Sequence, residues 1–136
     1  MAAGPAFGSE ECIVSSEHHG SRIRSCVVSP DGAYVLTGSN DSKVFSWRTD
    51  TGAKVSSTDA PSGCWVTGLD VSPCGTKVIG AGDAGWVSPS VMSLADGVMA
   101  EVMRLSGPPD WVHAACFMRT ADLMAAGCDN SKVYLY

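Results

Sequence analysis

The sequence predicts an all-β chain made of about three copies of a four-stranded antiparallel unit, and three observations predict it. Short runs of β-branched and apolar residues are separated by clusters of Gly, Pro, Asp and Asn, which is strand punctuation. The punctuation recurs: Ser72-Pro73-Cys74-Gly75 lies 43 residues after Ser29-Pro30-Asp31-Gly32, and Trp65-Val66 lies 43 after Arg22-Ile23. Trp111-Val112 follows Trp65-Val66 by 46, and the stretch from Gly127 to Tyr134 echoes that from Gly38 to Phe45 at a distance of 89. A period near 43 to 46 matches the roughly 40 to 45 residues of a four-stranded propeller blade.

Taken in order, residues 1–11 hold Gly4, Pro5 and Gly8 and read as a flexible leader, with neither the basic region nor the apolar core of a secretory signal. Residues 12–16 are a short β-branched run, expected to pair with a strand outside its own neighbourhood. Ile23 to Val28 is an apolar run closed by Ser29-Pro30-Asp31-Gly32, where Pro presets one turn dihedral and Gly permits positive φ. Residues 34–37 form the next strand, stopped by Gly38-Ser39-Asn40-Asp41. Val44, Phe45 and Trp47 belong to a third, and residues 54–57 supply a fourth. The repeats fall near 12–52, 53–97 and 98–136.

The later copies are looser. In the second, Asp83 is expected to keep the turn aspartate, while Gly85, Pro89 and Ser90 interrupt the third strand. Gly80-Ala81-Gly82-Asp83-Ala84-Gly85 lacks the Lys-Ser or Lys-Thr of a phosphate loop and has no helix after it, so it reads as a loosened turn. In the third, Asp129 or Asn130 stands for Asp41 and Tyr136 for Trp47.

Composition excludes several kinds of work. A net charge of -5 with nine scattered Lys and Arg is not a nucleic-acid surface. No apolar run approaches the roughly 20 residues that span a bilayer. The six cysteines form no Cys-x-x-Cys pair, and Cys12, Cys26, Cys116 and Cys128 sit in or beside strand-like apolar runs. They are expected to be buried thiols in a reducing, cytoplasmic compartment rather than a disulfide framework.

Residues 12–136 resemble the WD-repeat β-propeller family. The first repeat carries the pattern most fully, with His19 four residues before Ile23, Thr37 before the Gly38-Ser39 turn and Asp41 six before Trp47. The resemblance implies that His19, Thr37, Asp41 and Trp47 form a structural tetrad, hydrogen-bonded in sequence within the blade. Arg48 replaces the Asp of the family's eponymous dipeptide, and His19 gives way to Ser62 and Pro108 in the later repeats. The last ten residues are similar to a segment of the echinoderm microtubule-associated-like proteins, which implies a microtubule or ciliary association as a narrower alternative.

Three blades are fewer than the typical 4 to 8 of a closed propeller. The chain is therefore expected to be part of a larger propeller, or one half of a ring closed by two copies as a homodimer.

Function is expected at the entry to each innermost strand, held by Arg22, Trp65 and Trp111. Arg and Trp dominate interface hot spots, so these three form a candidate partner-docking rim; the alternative is that the tryptophans wedge between blades as ordinary packing. His113 and Cys116, three apart in a strand, lie on opposite faces and do not make a nucleophilic pair; they read as a semi-exposed imidazole beside a core thiol. His18-His19 lacks the further ligands of a metal site. For an enzyme with a funnel site only Arg24 and His113 offer themselves. The reading is a non-catalytic protein-interaction scaffold with no cofactor and no metal, its partners other proteins rather than nucleic acid or membrane. A self-assembling structural half-propeller is the alternative of another class.

Overall fold

The computed structural model describes residues 15, 17–60, 64–83, 89–106, 110–119 and 123–136. Among them lie eleven strands in three antiparallel sheets. The first sheet is β1 (Ile23–Val28), β2 (Tyr34–Ser39), β3 (Lys43–Arg48) and β4 (Lys54–Asp59), in that order. The second is β5 (Val66–Val71), β6 (Lys77–Gly82), β7 (Ser90–Ala95) and β8 (Val98–Arg104). The third has β9 (Val112–Phe117), β10 (Met124–Cys128) and β11 (Val133–Leu135). The first two sheets end on their outer strands, β4 and β8, whereas the third has three strands among the described residues.

Turn chemistry sets the strand ends. Gly32 N–H donates to Ser29 O at 2.8 Å with φ 73°, and Gly75 N–H repeats this to Ser72 O at 2.8 Å with φ 76°. A side chain at such φ is strained, which is why both turns end in Gly. Ser29 Oγ donates to Asp31 Oδ1 at 2.6 Å, and the Ala33 N–H caps the same oxygen at 3.0 Å.

The three sheets are stacked blades. A buried cluster with Leu36, Val44, Val66, Leu69, Val78 and Met92 joins the first to the second. Ile79, Ala81, Val112, Ala115 and Ala126 join the second to the third. At the outer edge of the first contact Ser46 Oγ donates to Gly97 O, and Ser56 Oγ donates to the same carbonyl at 2.8 Å.

Several expectations are corrected. Gly80 to Gly82 belong to β6 and are not a loosened turn; β6 is buried and small residues there let the third blade approach. The third strand of the second blade, β7, is regular over Ser90–Ala95, because Val91, Met92 and Leu94 are all buried and outweigh the weak local pattern. Cys26 and Cys116 are exposed rather than buried, so the core thiol beside His113 is also overturned; among the described residues no other blade packs on the flank that carries Cys26. The strand expected at residues 12–16, the leader, and Ser62, Gly85 and Pro108 lie outside the described residues.

Candidate functional site

The tetrad residues come from four places and meet in the first blade. His19 precedes β1, Thr37 lies in β2, Asp41 opens the turn before β3 and Trp47 lies in β3. Trp47 Nε1–H donates to Thr37 Oγ1 at 2.8 Å, and Thr37 Oγ1 lies 2.7 Å from His19 Nε2. His19 Nδ1 lies 2.9 Å from Asp41 Oδ2, which also accepts the Gly20 N–H at 2.8 Å. Since the indole only donates and the carboxylate only accepts, the bonds run one way: indole to hydroxyl, hydroxyl to Nε2, Nδ1–H to carboxylate. Burial raises the Asp41 pKa, but the Gly20 N–H, His19 and the Lys43 N–H together outweigh it and hold it below the usual carboxylate value. The tetrad is closed on itself, so it fixes the loop before β1 and offers no group to a ligand.

The entries to the innermost strands carry a repeated backbone clasp. The carbonyls of Arg22, Trp65 and Trp111 accept the N–H groups of Asn40, Asp83 and Asp129 at 2.9, 3.3 and 3.0 Å. The three positions are therefore structurally equivalent. They do not converge as a triad. Trp65, 40% exposed, and Trp111, 41% exposed, flank a cleft of about 120 Å³ completed by Arg24, Thr67, Asp83, Val112 and His113. Arg22 is exposed but does not line it. The arginine at the cleft is Arg24, its guanidinium 5.0 Å from the Trp65 ring centroid and its Nε–H donated to Asn40 Oδ1 at 3.0 Å. The same bond recurs in the third blade, where His113 Nε2 meets Asp129 Oδ1.

Arg24, Thr67 and His113 are themselves equivalent, 43 and 46 residues apart, so the cleft is lined by a second ring of repeat positions two residues beyond the first. The offsets that relate the tryptophans would have found it. Bulges after Ile23 and Val66 and near Val112 shift the alternation, turning this second position toward the rim.

Comparison with known proteins bears on the first blade directly. Residues 10–48 match the family described as WD domain, G-beta repeat. The first blade is a WD repeat. Two solved structures show the same fold over 88% of this chain at a TM-score of 0.76: one titled "Structure of U3-55K", 18% identical, and one titled "Crystal structure of RRP9 WD40 repeats", 17% identical. The chain spans 37% and 36% of their lengths. No curated protein matches it in sequence.

The WD pattern decays in identifiable steps. In the third blade Ala126 stands where Thr37 stood, and the Tyr136 hydroxyl, in Trp47's place, is buried with no hydrogen-bond partner among the described residues. Asn130 takes the turn role of Asp41: its Oδ1 accepts the Lys132 N–H at 3.1 Å, as Asp41 Oδ1 accepts the Lys43 N–H at 3.0 Å. Asp129 and Asp83 both correspond to Asn40, so Asp83 is not the turn aspartate expected of it.

Outside the cleft, Cys74 replaces Asp31 in the second copy of the Pro-Gly turn. Its Sγ lies 3.4 Å from Ser72 Oγ and 3.0 Å from Thr76 Oγ1, and these hydroxyls with the Thr76 N–H lower the thiol pKa to about 7. Among the described residues no group of three His, Cys, Asp or Glu is placed to hold a metal ion.

Proposed function

We propose that the chain is a non-catalytic protein-interaction scaffold whose Trp65–Trp111 cleft docks a side chain of a partner protein. The observation that carries this is two tryptophans at equivalent blade positions, each about two-fifths exposed, facing a common cleft rather than packing shut between blades. Large aromatic surface left open beside an arginine is the composition of an interface anchor. The cleft chemistry supports binding over catalysis. Thr67, the sole hydroxyl among its lining residues, donates to Val112 O at 2.7 Å. Arg24 is held by Asn40 and Trp65, and His113 by Asp129. The Thr67 hydroxyl is therefore engaged, and His113, its Nε2 held by Asp129, has no free hydroxyl or thiol among the lining residues to activate.

A cytoplasmic setting accords with the exposed thiols of Cys26, Cys74 and Cys116, which an oxidising compartment would attack. The test is to select binders from a displayed peptide library against the chain, then measure them against Trp65→Ala/Trp111→Ala. Loss of more than about thirtyfold in affinity at unchanged circular dichroism is expected, in line with two hot-spot residues. Peptides that bind the double variant as well as the parent would overturn the docking role.

A further inference from the structure

At the contact of the first and second blades an acceptor, a cation and an indole stand together. Arg24 Nε–H donates to Asn40 Oδ1 at 3.0 Å, and the same guanidinium lies 5.0 Å from the ring centroid of Trp65, the entry residue of the next blade. In the third blade a nitrogen-bearing side chain again holds the acceptor, as His113 Nε2 meets Asp129 Oδ1.

The second blade keeps the acceptor and the indole without the cation. By the offsets of 43 and 46, Asp83 stands for Asn40, Thr67 for Arg24 and Trp111 for Trp65. Thr67 carries no charge, and its hydroxyl is donated to Val112 O at 2.7 Å. Asp83 Oδ1 accepts the Trp65 N–H at 2.9 Å, and among the described residues nothing donates to Oδ2. Asp83, Thr67 and Trp111 all line the cleft, and Trp111 is 41% exposed. This contact lies inside the chain, between the second and third blades.

We infer that, given that the cleft docks a partner side chain as proposed, this side chain is an arginine, its guanidinium on the Trp111 indole and against the Asp83 carboxylate as Arg24 lies on Trp65 and against Asn40. A carboxylate in the place of an amide adds a charge that the internal copy lacks, so the pair is charge-assisted. A planar guanidinium stacks on an indole and still presents its N–H fork to a carboxylate, whereas an ammonium is a point charge. Arg24 is already engaged by Asn40 and Trp65, so it does not call for an acidic partner, and a net charge of -5 favours encounter with a basic one.

Peptides selected from the displayed library, and kept only if they lose affinity for Trp65→Ala/Trp111→Ala, decide it. Each should contain an arginine whose replacement by citrulline, its neutral isostere, or by lysine weakens binding about tenfold or more, as loss of a charge-assisted bond would. Asp83→Asn keeps an oxygen for the Trp65 N–H and removes the charge, so it should weaken the same peptides by about the same factor at unchanged circular dichroism. Thr67→Arg supplies the cation within the chain and should block them. Peptides that need the tryptophans yet tolerate citrulline or lysine, or bind Asp83→Asn or a folded Thr67→Arg chain as well as the parent, would overturn the arginine and leave the docking role standing. A library that yields no peptide dependent on the tryptophans would overturn both.

Discussion

The His19 imidazole lies stacked on the Phe45 ring, centroids 4.0 Å apart and planes 13° from parallel. The Lys54 ammonium stands 4.7 Å from the centroid of the same phenyl ring. The stack holds the imidazole plane so that its two nitrogens reach Asp41 and Thr37 together. A closed polar relay in a buried place is costly to interrupt, because each remaining member loses its partner without regaining water.

Thr37→Val keeps the shape of the side chain and removes the hydroxyl that joins Trp47 Nε1 to His19 Nε2. The buried His19 and the half-buried Trp47 then each lose a partner, and a loss of roughly 2–4 kcal/mol is expected from about 1–3 for each group left unsatisfied. Urea unfolding of the variant gives the number. A change within 0.5 kcal/mol, about the level of a neutral surface substitution, would mean that the relay adds nothing to stability.

Acid should act through Asp41. Burial raises its folded pKa, but the Gly20 N–H, His19 and Lys43 N–H outweigh that and hold it below the ordinary aspartate value of 3.8. The unfolded chain therefore binds its proton first as pH falls, so the contribution is complete above about 4 and is lost as pH drops through the folded value. Asp41→Asn should flatten the stability profile below pH 4 while lowering stability at neutral pH. Unfolding midpoints measured from about pH 2 to 6 in both proteins would show it; parallel profiles would count against the assignment.

In the third blade the relay has lost its hydroxyl, and Tyr136 Oη is buried without a hydrogen-bond partner among the described residues. Tyr136→Phe removes an unpaired polar atom and keeps the ring, so it should be neutral or raise stability by up to about 1 kcal/mol. Trp47→Phe in the first blade deletes a donor that does have an acceptor and should destabilise. Trp47→Phe also removes indole volume, so Thr37→Val, which leaves the Trp47 ring in place, separates the hydrogen bond from the ring.

The architecture was legible because turn chemistry repeats at a fixed interval. Ser29-Pro30-Asp31-Gly32 and Ser72-Pro73-Cys74-Gly75 mark equivalent turns, and the tetrad residues sit at characteristic spacings around them. What the residues did not disclose was mostly decided by packing between blades. Gly80-Ala81-Gly82 looks like a turn locally but is a buried strand, because small residues there admit Val112 and its neighbours. Cys26 looks like a core thiol by its apolar neighbours, yet it occupies the place of Leu69 on a flank against which no blade among the described residues packs. Of the three entry positions expected to share a rim, Trp65 and Trp111 line one cleft and Arg22 does not. Arg24 rather than Arg22 meets Trp65, because the bulge after Ile23 turns the following side chain.

Cys74 gives a chemical prediction from the same repeat logic. In the first copy of the turn a carboxylate, Asp31, collects the Ser29 hydroxyl and the Ala33 N–H. In the second a thiol stands in its place, and the donors that would hold the carboxylate stabilise a thiolate, lowering the pKa from 9.0 to about 7. At pH 7 about half of Cys74 is then the nucleophilic thiolate, so iodoacetamide should label this exposed thiol with a midpoint near pH 7. Ser72→Ala removes the largest single contribution and should move that midpoint upward, with Thr76→Ala adding to the shift. Peptide mapping by mass spectrometry after timed labelling from pH 6 to 10 resolves each cysteine. A Cys74 midpoint that stays near the ordinary thiol value of about 8.5 in the parent chain would refute the assignment. So would one that the two substitutions leave unmoved.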